Sequence, residues 1–175
     1  MNRYCAFLRG INVNGRKMAM KDICSAFEGA EMKRVSSVLA TGNILFTSYD
    51  SAATLRPKLE KALSDYYNNR IDLFLKDADQ ISAIVAAVPF EENSAFHIYA
   101  FLCEPGFEKT LKDEFDTISP IAGEEAAIGN GNFYWKVPKG STLDAGFSKI
   151  LGRKDMKDKL TSRNISTIRK LQEKI

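Results

Sequence analysis

Arg9, Arg16 and Lys17 fall within nine residues of one another in the stretch RGINVNGRKMAM (Arg9 to Met20), interleaved with Gly10, Asn12, Asn14 and Gly15. No acidic residue precedes Asp22. Glycine takes backbone angles closed to other residues and asparagine is the next most tolerant, so successive N–H groups here can turn toward one point. With three cations around it, that geometry suits an anion. A helix starting near Lys17 or Met18 would add unpaired N–H groups and the positive end of its dipole. The same residue types also make an ordinary surface loop, with Gly and Asn forming turns and the cations facing water.

The loop differs from two phosphate motifs it resembles. Gly10 and Gly15 have P-loop separation, but Arg16, Lys17 and Met18 follow, so the hydroxyl that would hold magnesium is missing. GINVNG lacks the middle glycine of a dinucleotide fingerprint. No catalytic signature compensates. His97 is the sole histidine and lies inside FHIYAFL, where alternation places it on one strand face with Tyr99 and Phe101. That is the pattern of a structural histidine, and without a second ligand cluster there is no metal site. Glu91, Glu92, Glu124 and Glu125 lie beside turns and read as solvated, not as a catalytic carboxylate pair. No cofactor motif is found and no cofactor is expected.

Two further blocks are candidates for the same ligand. Thr41, Gly42 and Asn43 could present a hydroxyl and an amide at the rim of a site, although Gly and Asn are also what a tight hairpin turn demands. Arg163, Asn164 and Thr167 lie at the start of a helix read over Ser166 to Glu173. Asn164 or Ser166 could cap that helix, and an Arg beside a helix start also favours phosphate or carboxylate.

The charges are unevenly spread. Of a formal net charge of +3, residues 1–21 hold +5, residues 149–175 hold +6 and the stretch between them holds −8. If the basic ends meet in space, they form a positive surface that would attract phosphates; a lysine-rich terminal helix is equally consistent with a solvated face. At 175 residues, with 45% hydrophobic and 27% charged content, the chain is long enough to bury its own core and is not disordered. No apolar run approaches the roughly 18 residues of a membrane helix and no signal-peptide h-region opens the chain, so a cytoplasmic location and no membrane partner are expected. Cys5, Cys24 and Cys103 lack CxxC spacing and are odd in number, which argues against disulfides and zinc.

The elements that must position these residues occur twice. Tyr4 to Leu8 reads as a strand, Met18 to Glu28 as a helix, Val35 to Ala40 and Ile44 to Thr47 as a hairpin, Ser51 to Tyr67 as a helix and Ile71 to Leu75 as a strand. The order βαββαβ is that of a ferredoxin-like module. After a helix over Asp79 to Val88, it resumes with strand Phe96 to Cys103, helix Phe107 to Ile118, hairpin strands Glu124 to Ile128 and Phe133 to Val137, and helix Asp144 to Leu151. Trp135, alternating with Phe133 and Val137, reads as core or subunit interface. The expected fold is α+β, two ferredoxin-like subdomains of antiparallel sheet covered by helices. Residues 1–76 form the first and 77–175 the second, carrying the basic C-terminal helix. No flexible linker separates them, so they are expected to pack closely as one structural unit.

Together, RGINVNGRKMAM, LATGNILFTS and TSRNISTIRKL resemble the bacterial family catalogued as domain of unknown function 1697, whose matching blocks read RGINVGG, QSGNVVF and TARNWNTVTKL. PKGSTLDAGFSKIL, from Pro138 to Leu151, is similar to the family's YPDG and SKL region. The resemblance implies a duplicated ferredoxin-like fold and no particular activity. Asn14 stands for a family Gly, Ala40 for Gln, Ile165 for Trp and Ser166 for Asn, so base stacking by that Trp is not available here. Arg9, Gly10, Asn12, Gly15, Thr41, Gly42, Asn43, Arg163, Asn164 and Thr167 keep the family's residue types.

The function expected is therefore a non-catalytic module for an anionic ligand, a nucleotide-like metabolite or nucleic acid, held by the RGINVNGRK loop. The RNP1 string of RNA-binding ferredoxin-like sheets is missing, which favours a small ligand. Two alternatives stand beside it: an enzyme acting on a phosphorylated or carboxylated small molecule, and a homodimeric adaptor pairing its edge strands.

Overall fold

The computed structural model describes residues 1–11, 18–157 and 159–175. Packing divides the chain into two units, Met1–Ile81 with Leu171–Ile175, and Ser82–Lys170. In the first, β1 (Asn2–Leu8), α1 (Met20–Gly29), β2 (Lys33–Ser37), β3 (Asn43–Ser48), α2 (Ala52–Tyr67) and β4 (Leu73–Asp77) follow one another. The strands lie in the order β2-β3-β1-β4, every neighbouring pair antiparallel.

Alternation along β1 explains why this sheet carries helices on one face. Tyr4, Ala6 and Leu8 share a core with Ile44, Phe46 and Leu73, and into it α1 sends Ile23 and Phe27 and α2 sends Leu55, Leu59 and Leu63. The three leucines recur every fourth residue, so they stack along one helix face, and each contributes about 1.5–3 kcal/mol by leaving water. Ser51 starts α2, its hydroxyl accepting from the Thr54 N–H at 3.3 Å. Because β1 is central, its last residue Leu8 lies between β3 and β4, with Phe7 opposite Asn43 and Leu8 opposite Leu73. The segment that follows is thus bordered by the turn before β3 and the residues before β4.

β2 is an edge strand with a bulge. Lys33 pairs with Thr47 and Ser36 with Leu45, so three steps along β2 answer two along β3. Arg34 takes up the extra residue in the left-handed region, at φ +51°.

In chain order there follow α3 (Ala78–Ala86), β5 (Phe96–Cys103), α4 (Phe107–Asp116), β6 (Glu125–Gly129), β7 (Asn132–Pro138), α5 (Gly146–Leu151), α6 (Lys154–Lys157), β8 (Leu160–Asn164) and α7 (Ile165–Gln172). The second sheet has the order β6-β7-β5-β8, the same topology with β5 in the place of β1. The fold is a duplicated ferredoxin-like α+β. Its second core is aromatic: Phe147 of α5 packs against Phe101, Phe115, Phe133 and Trp135, with ring centroids 5.4–6.2 Å apart.

One strand is added, one sequence reading narrows and one changes. β8 closes the second module over residues to which the sequence assigned no strand, because Leu160–Asn164 is too polar to show a strand pattern and gains its ladder from β5 alone. Trp135 is core, 2% exposed. Glu124 is buried, not solvated: one carboxylate oxygen accepts from Trp135 Nε1 at 3.0 Å and the other from the Ile121 N–H at 3.0 Å.

On the other face of the second sheet Tyr134 is fully buried and donates from its hydroxyl to the Ile84 carbonyl at 2.7 Å. Burial pushes its phenol up to about 12. A group whose folded value is raised contributes stability that is complete below its unfolded value, near 10, and is lost as pH rises toward 12. Urea unfolding of Tyr134→Phe should show a loss of about 1–2 kcal/mol at neutral pH. The variant should also lose the part of the alkaline destabilisation that this phenol causes; an identical fall with pH in both proteins would refute the assignment.

Candidate functional site

At the C-terminal end of β1 the described residues of two sequence blocks come together. Leu8 N–H donates to the Gly42 carbonyl at 2.8 Å and Arg9 N–H to the Asp72 carbonyl at 3.0 Å, so the chain is held on both sides as it leaves the sheet. It then turns at Gly10, whose φ of +63° is open to glycine. Ile11 packs against the hairpin turn so closely that a Cβ on Gly42 would lie 2.4 Å from its Cδ1. Gly42 is itself at φ +72°.

The Thr41–Asn43 turn is built from its own side chains. Asn43 is fully buried, and its amide donates to the Val38 carbonyl at 3.1 Å and to Thr41 Oγ1 at 2.9 Å. Asn43 therefore holds the turn in shape, Thr41 is exposed at its edge, and Gly42 is buried against Ile11. Arg9 sends Nη1 to within 3.4 Å of Asp72 Oδ2, while Arg70 Nε approaches Asp72 Oδ1 at 2.8 Å. Two guanidiniums thus gather on one carboxylate beside Gly10. Arg70 and Asp72 escaped the sequence reading because what brings them to Arg9 is the nonlocal pairing of β1 with β4. Asn12, Asn14, Gly15, Arg16 and Lys17 lie outside the described residues.

The corresponding strand-to-helix junction in the second unit is instructive. There β5 leads through Gly106 into α4, and Glu108 Oε2 accepts from the Gly106 N–H at 2.7 Å, a carboxylate 9% exposed. The second module thus supplies its own anion at its first junction. The first module carries cations before α1, and the residue that precedes that helix, Ala19, gives it no side-chain cap.

Arg163, Asn164 and Thr167 belong to the second unit. Arg163 and Asn164 are on β8, and Arg163 Nη1 donates to Thr161 Oγ1 and to the Ser162 carbonyl, both at 2.8 Å. Thr167 is in the first turn of α7. Asn164 caps that helix, its Oδ1 accepting from Ser166 N–H at 3.0 Å and Ser166 Oγ at 2.8 Å. This orients the amide nitrogen toward His97 Nδ1, 3.0 Å away. An amide N–H can donate only to an unprotonated ring nitrogen, so the neutral imidazole of His97 carries its proton on Nε2. His97 and Asn164 line a cavity of about 210 Å³ with Lys139, Glu92 and Ser166.

Among the described residues, no three His, Cys, Asp or Glu side chains gather as a metal site, and no helix is long and apolar enough to cross a membrane. Burial raises the Cys24 thiol above its usual range.

The topology and these junctions define a duplicated ferredoxin-like protein with a basic turn at the end of its first central strand. A family model described as "Protein of unknown function (DUF1697)" matches residues 1–134, and the chain belongs to that family. No curated protein matches it. Among solved structures it is similar to that of the conserved bacterial protein SP0830 from Streptococcus pneumoniae, with a TM-score of 0.81 at 23% identity, over 99% of this chain and 98% of that one. At that identity the likeness speaks for the fold.

The turn provides a direct test. Gly42→Ala forces a side chain into a left-handed position against Ile11, and Asn43→Ala removes both side-chain hydrogen bonds of the turn. Each should cost about 1–3 kcal/mol in urea unfolding. A wild-type midpoint for Gly42→Ala would show that Ile11 does not pack there.

Proposed function

We propose that the protein is a binding module for an anionic ligand, either a nucleotide-like metabolite or a nucleic acid, gripped where the chain leaves β1. The observation that carries this reading is the contrast between the two first junctions. Each following helix has an acid in its first turn, Asp22 in α1 and Glu108 in α4. The sequence before α1, however, carries Arg9, Arg16 and Lys17, whereas residues 104–106 before α4 carry no cation and the Glu108 carboxylate accepts from the Gly106 N–H. The grip would come from Arg9, held by Asp72, from Asn12, Asn14, Gly15, Arg16 and Lys17 in the loop, and from Thr41 at the rim. Gly10, Gly42 and Asn43 shape the backbone. Arg163, Asn164 and Thr167 form a separate candidate ligand contact on the second unit. The absence of an RNP1 string favours the small ligand.

A second reading, an enzyme acting on a phosphorylated or carboxylated small molecule, draws on His97. Its orientation by Asn164 and Ser166 in a cavity containing Lys139 gives it the form of a positioned acid or base. The homodimeric reading is disfavoured at β2, whose bulge and whose Lys33 and Arg34 blunt that edge against pairing.

Thermal-shift measurements with nucleotides, sugar phosphates and short oligonucleotides should find an anion that stabilises the protein by about 2.7 kcal/mol at one hundred times its dissociation constant. The shift should be reduced in the triple variant Arg9→Ala, Arg16→Ala, Lys17→Ala. If nucleic acid bound through about six phosphates, log affinity should fall against log salt with a slope near −5. A shift of undiminished size in the triple variant overturns the placement at the loop. Turnover of the ligand, lost in His97→Ala, would establish the enzymatic reading.

A further inference from the structure

At the opposite end of β1, about 20 Å from the loop at 3.3 Å per strand residue, lies a second basic place. Arg3 of β1, Arg34 of β2 and Lys174 near the end of the chain line one cavity of about 200 Å³ within the first unit, together with Ser36, Thr47 and Leu45. Arg3 and Leu45 are outside the helix-facing core, and the ladder pairs Arg3 with Thr47, so the cavity opens on the sheet face away from α1 and α2. No Asp or Glu side chain lines it, and Phe46 and Ile175 complete the lining. Among the described residues none of the three cations makes an ion pair.

Two features converge here. Arg3, Arg34 and Lys174 come to one concavity from three segments, all three exposed, so their mutual repulsion is small and screened by solvent. Arg34 reaches it from a left-handed backbone at the bulge of β2, a conformation disfavoured for a non-glycine residue. Bulges re-aim side chains, and this one lets an edge-strand guanidinium join Arg3 and Lys174. An anion would offset what repulsion remains. Two guanidiniums offer paired donors matched to phosphate oxygens. The Ser36 hydroxyl adds a donor, while Thr47 already donates to the Lys33 carbonyl at 3.2 Å. Three cations exceed what one carboxylate would balance, and the small volume, about 200 Å³, suits a single phosphate group.

We infer that this cavity is a binding site for the phosphate group of a small phosphorylated molecule, distinct from the loop at the other end of β1. Leu45 forms an apolar wall beside the phosphate position.

The test uses inorganic phosphate, titrated calorimetrically into the full chain, into the loop variant Arg9→Ala, Arg16→Ala, Lys17→Ala, and into that variant with Arg34→Gly added. Glycine suits the left-handed position, so Arg34→Gly should leave the melting temperature in the absence of phosphate equal or higher. Phosphate should still bind the loop variant, and Arg34→Gly should weaken that binding by about tenfold or more, as should Lys174→Gln. Loss of all binding in the loop variant overturns the second site and leaves the loop reading intact. Binding untouched by Arg34→Gly and by Lys174→Gln overturns it too. So does saturable binding of a short single-stranded oligonucleotide, sensitive to Arg34→Gly, when phosphate does not bind.

Discussion

Strand β1 is hydrogen-bonded along both edges, to β3 and to β4, and its register on each is locked by which residues must face the helices. Tyr4, Ala6 and Leu8 fill the helix-facing core, and a one-residue slip would turn Arg3, Cys5 and Phe7 into it instead. Much of what distinguishes the first unit follows from that register. It sets Leu8 against the Gly42 carbonyl, carries Arg9 to Asp72 and places Arg3 opposite Thr47. Both basic places are therefore held by one ladder, one at each end of the same strand.

Duplication makes the chain its own comparison. The two sheets have the same strand order, yet they solve the first strand-to-helix junction differently, one with the internal carboxylate of Glu108 and the other with a cationic segment. The cores diverge as well. Aliphatic residues of α1 and α2 dominate the first, whereas Phe147 gathers four aromatic rings in the second. Equivalent backbones thus tolerate different chemistry at the junction because the strand ladder, not the loop, holds the module together.

The fold was legible where apolar periodicity is local. Leu55, Leu59 and Leu63 announce α2, and the alternation of Phe133, Trp135 and Val137 announces β7 with its core face. Leu160–Asn164 showed nothing comparable, because an edge strand paired on one side needs no apolar pattern. Glu124 misled for a related reason: a carboxylate beside a turn is normally solvated, and only the tertiary approach of the Trp135 indole makes its burial tolerable. At the candidate site, glycines and cations could be read directly, whereas Asp72, Arg70, Arg34 and Lys174 could not. Their relevance comes from strand pairing, a bulge and the return of the chain terminus, none of which leaves a trace in neighbouring residues.

That return has a consequence for how the molecule is made. Leu171–Ile175 pack with the first unit, and Leu171 is fully buried, although the whole second unit intervenes in the sequence. On a ribosome the first module would emerge, form its sheet and wait while Ser82–Lys170 are synthesised before its final residues arrive. Such long sequence separation slows folding and leaves a partly covered surface in the interval. Until Lys174 has been synthesised, the cavity beside Arg3 and Arg34 lacks its third cation, so a ligand there would depend on a residue that follows the whole second unit in sequence.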